Sequence, residues 1–589
     1  MFCKPATFLL VSTIPVILLA ALQSCARPKT EGVERLAVLP IENLSSDAQL
    51  DWRSRAAAAV VVYGLEGAKN ILARQVNSIS AAQAMRATRL VEGYFFERNG
   101  RIGIRAVVED LSNNRTVASF AIEGAASAGF LPLANELAHR VSGDARMFGT
   151  SNENAFRSYG EALAARDSQS LERDLEAATA ADPGFAAGYV DEAKVLEETG
   201  DRAKARQVVQ AGERARLDPI ERANWEYVAA SASGDATDRL KALEHMTVAT
   251  PANADMFRQL GDARFARRQF PQAAMEYRAA LHLDPDELGT WNELGYALAR
   301  AGDLKGAREA LGQYQKLAPE DPNALDSQGE VSYLLGDFQA ADEFFEKAAA
   351  RNPADLLKAA EARLMLGDLQ GADGLFVKRL GPARAQKSAG YQMAQWEFLT
   401  GRRKAGMARL EQMIPQLDGD ARALAMSQLA IWKLEAGDQK AAAELADEAS
   451  KQAQSPQVRG LSGVCRYIAS GSSGSSGSKM ADALALLFAK KYREALPLLQ
   501  TLYSEANPSA DGQVRTLLAW AYVEAGEVDK AAPLVKAYPL PLSSGEPLFA
   551  SLIFPRYLAV RGAVLERQGK RDEARKSQEL YLKYAGPTK

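Results

Sequence analysis

Cysteine and histidine are scarce in this 589-residue chain, which has three of each. His139, His245 and His282 stand far from one another and from Cys3, Cys25 and Cys465. The short ligand spacings that build zinc sites are therefore missing. Cys3 and Cys25 lie near the N-terminus, so only Cys465 remains beyond it, and an intramolecular disulfide framework is excluded if that segment is processed. An excess of one charge is also lacking: 71 Lys and Arg against 74 Asp and Glu leave a net charge of -3. Nothing offers a phosphate backbone a broad basic surface, which excludes nucleic acid as the natural partner. Recognisable catalytic motifs are missing too: there is no nucleophile elbow, His-Glu-x-x-His, dinucleotide fingerprint or Walker loop. The chain reads as a non-enzyme without cofactor or metal.

What is present is alanine, with 47% hydrophobic and 25% charged residues but only 7% aromatics. That composition is globular and favours closely packed helices over sheet. The length exceeds what one ordinary core serves, so several units or a repeat array are expected.

The N-terminus has one Lys4 and then an apolar run from Ala6 to Leu22, the physical pattern of an export signal. Leu22-Gln23-Ser24-Cys25 follows and resembles a bacterial lipobox, with Gln23 departing from the usual small or β-branched residue. The resemblance implies a signal segment over 1–24, acylation of Cys25, and a polar tether over 25–33. An uncleaved membrane helix and an ordinary cleaved signal are the alternatives. All three place the rest of the chain outside the cytoplasm. By analogy with the proteobacterial sorting rule, Ala26 favours the outer membrane, facing the periplasm.

Residues 34–147 read as a small α/β domain. Leu36 to Ile41 is a buried-strand run that ends in turn residues, and an alanine-rich helix spans about 49–69. A short strand is expected at Ile71 to Val76 and a helix from about Ser80. Strands then follow at 90–98, 102–108 and 116–123, the first two joined at Asn99-Gly100, where both residues tolerate positive φ. An amphipathic helix over about 130–146 closes the domain. The phrase Leu36-Ala-Val-Leu-Pro-Ile-Glu-Asn-Leu-Ser-Ser-Asp47 resembles the opening of domains related to the N-terminal domain of the periplasmic protein TolB. Such domains often precede tetratricopeptide repeats.

A 34-residue period is the strongest signal. Phe257, Leu260, Gly261, Ala273, Tyr277, Ala280 and Pro285 recur as Trp291, Leu294, Gly295, Ala307, Leu311, Tyr314 and Pro319, then as Leu325, Gln328, Gly329, Ala341, Phe345, Ala348 and Pro353. These identities resemble the tetratricopeptide repeat. Large residues anchor the first helix of each pair, small ones let the second approach, and proline stops it. Gly-Asp pairs at 302–303 and 336–337 mark the intervening turns. Looser copies extend from Ala155 to the C-terminal region, enough for roughly a dozen units. The expected fold is mostly α: a solenoid of antiparallel helix pairs after a small α/β domain. Ser470 to Ser478, a Ser/Gly run, reads as a flexible linker dividing an N-terminal block, 152–469, from a C-terminal block, 479–585.

The resemblance implies that residues of each first helix line a concave groove. The candidates there are Arg258, Asp262, Phe265, Asn292, Glu293, Tyr296, Asp326, Glu330 and Tyr333, flanked by Asp255, Gln259 and Ser327. The carboxylate-clamp arrangement, which needs lysines and asparagines at several of these positions, is absent, so a peptide with basic or aromatic side chains fits better than a C-terminal carboxylate. The expected function is a scaffold or adaptor of the cell envelope. It would hold envelope proteins or peptides in its groove during assembly or secretion, and attach to the membrane through its lipid. The alternatives are an envelope sensor whose α/β domain binds a small ligand, and an enzyme with an unrecognised site.

Overall fold

The computed structural model describes residues 33–585 apart from 46, 214, 216, 382–386, 472–475 and 541–545. Cys25 and the export signal lie outside the described residues. The chain divides into two compact units between Ala165 and Arg166.

The first unit is built on one mixed sheet of β1 (Glu34–Val38), β2 (Glu42–Asn43), β3 (Ile71–Gln75), β4 (Arg89–Arg98), β5 (Arg101–Asp110) and β6 (Arg115–Ala125). Its order is β3-β1-β4-β5-β6, with β2 added to β4. β1 runs parallel to β3 and β4, whereas β4, β5 and β6 form an antiparallel meander. Asn99 and Gly100 turn the first hairpin at φ of 52° and 71°, the geometry that the Asn-Gly pair favours.

Among the described residues four α-helices complete the unit: α1 (Trp52–Leu65), α2 (Ile79–Ala84), α3 (Leu131–Val141) and α4 (Glu153–Ala164). α4 corrects the expected boundary. The stretch from Ala155 reads as the start of the repeats, yet α4 packs on α1. Phe156 meets Trp52 edge-to-face at 5.5 Å. At Gly160 a Cβ would fall 2.6 Å from the Trp52 ring. Only glycine admits that approach, so the unit extends to Ala165.

The second unit is a stack of helix pairs. The three clear repeats pair Ala254–Ala266 with Phe270–Leu283, Leu288–Ala301 with Leu304–Leu317, and Pro322–Leu334 with Phe338–Ala349. The period's chemistry is visible at its glycines. A Cβ on Gly261, Gly295 or Gly329 would lie 2.5, 2.7 or 2.5 Å from Tyr277, Leu311 or Phe345. The Gly-Asp pairs divide two tasks. Gly302, at φ 91°, ends the first helix in a left-handed cap, and the Asp303 carboxylate accepts from the Gly306 N–H to start the second. This is the usual logic of a glycine stop and an acidic N-cap.

The Ser/Gly run does not divide the array. It lies between two helices that pack together, Pro456–Ala469 and Lys479–Phe488. A single apolar core runs from Tyr333 and Phe345 through Trp396, Cys465 and Leu484 to Leu518, Tyr557 and Tyr584. The C-terminal helices Tyr492–Glu505, Gly512–Glu524, Arg556–Arg567 and Arg571–Ala585 thus share the core of the earlier repeats. Tyr584 donates to the Leu364 carbonyl at 2.7 Å, and the Tyr538 N–H donates to the Leu334 carbonyl at 3.0 Å.

Candidate functional site

The first helices of the repeats bring the candidate side chains to one face, but not into one uniform groove. Asp262, Phe265, Asn292, Glu293 and Tyr296 share a cavity of about 530 Å³. They come from the 254–266 and 288–301 helices, and Tyr277 adds its ring from the second helix of its pair. The opposite wall is the chain's own segment Ser504–Ser509, more than 200 residues away along the chain and unmarked by the repeat pattern.

Polar contacts order the cavity floor. Asp262 accepts from the Tyr277 hydroxyl at 2.8 Å and from Arg258 at 3.0 Å. Arg258 also donates to Asp255 at 2.8 Å, and Asp255 accepts from Gln259 at 2.7 Å. Glu293 is the outlier. Its nearest cation, Arg258, is 3.9 Å away. One Glu293 carboxylate oxygen and the Asn292 side-chain oxygen are buried, with no hydrogen-bond donor on them among the described residues. Burial, followed by the nearby Asp262 charge, pushes the Glu293 pKa up to about 7. Burial also raises Asp262, against the Tyr277 hydrogen bond and the Arg258 charge. The cavity is thus richer in acid than in base.

One repeat further on, the character changes. Lys358, on the helix Leu356–Leu366, donates to both oxygens of Asp326 at 2.7 Å and to Glu330 at 2.6 Å. Tyr296 donates to the other Glu330 oxygen at 2.6 Å. Asp326 and Glu330 are therefore already partnered within the fold. Tyr333 departs furthest from expectation: only 1% exposed, it lies in the apolar core beside Phe338 and cannot face a partner. It shares that core with Tyr557 and Tyr584, and Tyr538 packs against it, so the C-terminal helices cover this part of the groove.

A buried charge cluster, which the repeat pattern does not mark, adds to the apolar core in tying those helices to the repeats. Asp511 is fully buried and faces Arg268 at 2.5 Å, Arg300 at 3.4 Å and Arg515 at 3.4 Å. Arg268 lies 3.9 Å from the Tyr503 ring centroid and donates to the Tyr503 and Ala506 carbonyls. Arg300 donates to the Pro508 carbonyl at 2.5 Å. Two arginines at the ends of the first helices thus grip the main chain of 503–508. Nothing in the 34-residue pattern marks Arg268, just past Phe265, or Arg300 in the next repeat.

Family models for the tetratricopeptide repeat match residues 258–324, 323–355 and 486–553. The chain carries tetratricopeptide repeats. A stretch of 93 residues is 34% identical to bacteriophage adsorption protein A of Escherichia coli K12, covering 16% of this chain and 9% of that protein. Among solved structures, the MamA protein aligns with 28% of this chain and 93% of its own, at 17% identity and a TM-score of 0.25. The pilF protein of Pseudomonas aeruginosa aligns with 33% and 92%, at 15% identity and a TM-score of 0.26. Tetratricopeptide-repeat proteins generally act as protein-interaction scaffolds, and among the described residues no group of three or more His, Cys, Asp or Glu could hold a metal ion.

Proposed function

We propose that this chain is a lipid-anchored scaffold of the bacterial cell envelope, on the periplasmic face of the outer membrane, and that it holds partner proteins in assembly or secretion. The observation that carries the binding part is the cavity itself. Five of the nine candidate side chains line one space of about 530 Å³, enough for one or two side chains of a bound segment. Its mixture of carboxylates, an amide and aromatic rings suits an extended peptide with basic or aromatic residues. The envelope part rests on the sequence alone, on the apolar run before Cys25 and the lipobox resemblance. Several acyl chains, at about 0.8 kcal/mol per buried CH₂, would make a stable anchor.

Two experiments test the parts separately. Radiolabelled palmitate should enter the native protein and not a Cys25→Ala variant; equal labelling of both rejects the anchor. Crosslinking in cells followed by mass spectrometry should recover one or a few defined envelope proteins, and Asn292→Trp, which fills the cavity, should reduce that recovery. Recovery of no defined partner, or recovery unchanged by Asn292→Trp, counts against the groove as the binding site.

A further inference from the structure

The cavity bounded by Asp262, Phe265, Asn292, Glu293 and Tyr296 on the repeat side, and by residues 504–509 on the other, has a more specific chemistry than a generic peptide groove. We infer that it receives an arginine side chain from the partner segment. This rests on the scaffold reading and names the group that would be recognised.

Three observations converge on a planar cation. The first is the pair of acceptors without donors, the Asn292 side-chain oxygen and one Glu293 oxygen. Buried acceptors ordinarily have partners, and leaving one unmade costs about 1–3 kcal/mol. Both residues line the cavity, and a guanidinium, with five N–H donors, carries enough to serve each once its side chain turns toward the cavity. The second is charge. The groups acting on Glu293 are Asp262, Glu287 and Asp255 against the single cation Arg258, while Glu505 on the facing segment is already paired with Lys479. A further positive charge would relieve that imbalance and favour the ionised Glu293. The third is shape: Phe265 and Tyr296 offer aromatic rings in the same wall, and guanidinium groups stack on such rings more readily than ammonium groups. The fold itself supplies a precedent, because Arg268 stacks on Tyr503 at the neighbouring edge, 3.9 Å from its ring centroid.

The neighbouring acids do not compete for this role. Lys358 already occupies Asp326 and Glu330, so one cation of this chain fills the next site along the face. In the cavity, by contrast, the chain's own cation Arg258 is engaged by Asp255 and Asp262 and stands 3.9 Å from Glu293, which leaves Glu293 the acid open to a partner's cation.

The test uses the full chain, fluorescently labelled, on an array of octapeptides of varied sequence. Each peptide is made in matched forms with arginine, or with its neutral isostere citrulline, at one position. Arginine spots should bind at least tenfold better than their citrulline twins, and Glu293→Gln should remove most of that preference without lowering the melting temperature, since it replaces a carboxylate that burial disfavours. Asn292→Ala should weaken it independently. The preference should also grow between pH 6 and pH 8, as Glu293 ionises around pH 7. Binding of arginine and citrulline peptides alike overturns the arginine assignment and leaves the scaffold standing. An arginine preference that survives Glu293→Gln places recognition elsewhere and also overturns it. If no peptide binds while crosslinking in cells still recovers a partner, the pocket assignment fails alone; if both experiments fail, so does the scaffold reading.

Discussion

Replacing Asp511 with alanine should loosen the C-terminal helices from the repeats they cover. The carboxylate is fully buried, and the three arginines around it, Arg268, Arg300 and Arg515, keep side-chain exposures of only 20%, 10% and 5%. Removing the anion leaves three cations crowded in a place where burial and Arg515 already press the Arg300 pKa down. Stripping one partner from a buried ion pair costs about 3–5 kcal/mol, chiefly because the remaining charge is left uncompensated. Water reaching Arg268 tempers this, so about 3 kcal/mol is expected. Hydrogen–deuterium exchange reads the effect locally. At 1.4 kcal/mol per tenfold, amides in the 512–524 helix should lose roughly a hundredfold in protection if they open together with the clasp. Amides of the first unit should be unaffected. Asp511→Leu combined with Arg268→Met, Arg300→Met and Arg515→Met should recover much of the loss, since an apolar set of similar size avoids the buried charge. A change of less than threefold in the alanine variant would refute the claim that this cluster fastens the C-terminal block.

Two further outcomes follow from the repeat packing and its charges. Gly329→Ala places a methyl group 2.5 Å from the Phe345 ring, itself fully buried, and should cost about 1–3 kcal/mol by overpacking; Gly312→Ala, with nothing within 4 Å of the new methyl, should not destabilise, and denaturant melts of the two variants check the contrast. Burial and Glu330 push Asp326 up to about 6 despite Lys358. A carboxyl pKa that is higher folded than unfolded stabilises the fold at low pH, and that contribution fades as pH rises from about 4 through 6. The Asp326→Asn variant should therefore show a flatter stability profile over that range than the parent, and identical slopes would reject the assignment.

Much of the architecture was legible in the sequence, and the reason is local packing. Gly261, Gly295 and Gly329 each sit where a large side chain of the partner helix arrives, so one 34-residue pattern carries the geometry of a helix pair. Asn99-Gly100 likewise encodes its own hairpin. The misreadings share a different cause, since each depends on residues far apart in the chain. Phe156 and Gly160 suit a repeat helix equally well; only the distant Trp52 claims them for the first unit. Ser470–Ser478 has the composition of a linker, yet the helices on either side pack together. Tyr333 occupies a groove position by period, and it is buried by tyrosines 200 or more residues later. Lys358 shows how narrow the miss can be: it lies one repeat beyond the last one considered for the groove, and it converts Asp326 and Glu330 from binding candidates into structural ones.

A partner segment is expected to enter the cavity between Phe265, Glu293 and the 504–509 wall. A photo-crosslinking benzoylphenylalanine in place of Phe265 tests it most directly, because that ring lines the cavity. Irradiation in cells should join this position to one defined stretch of another envelope protein, with fewer products when Glu293 is changed to Gln. Products confined to the chain's own residues 504–509 would show that the cavity is closed to partners and contradict the claim.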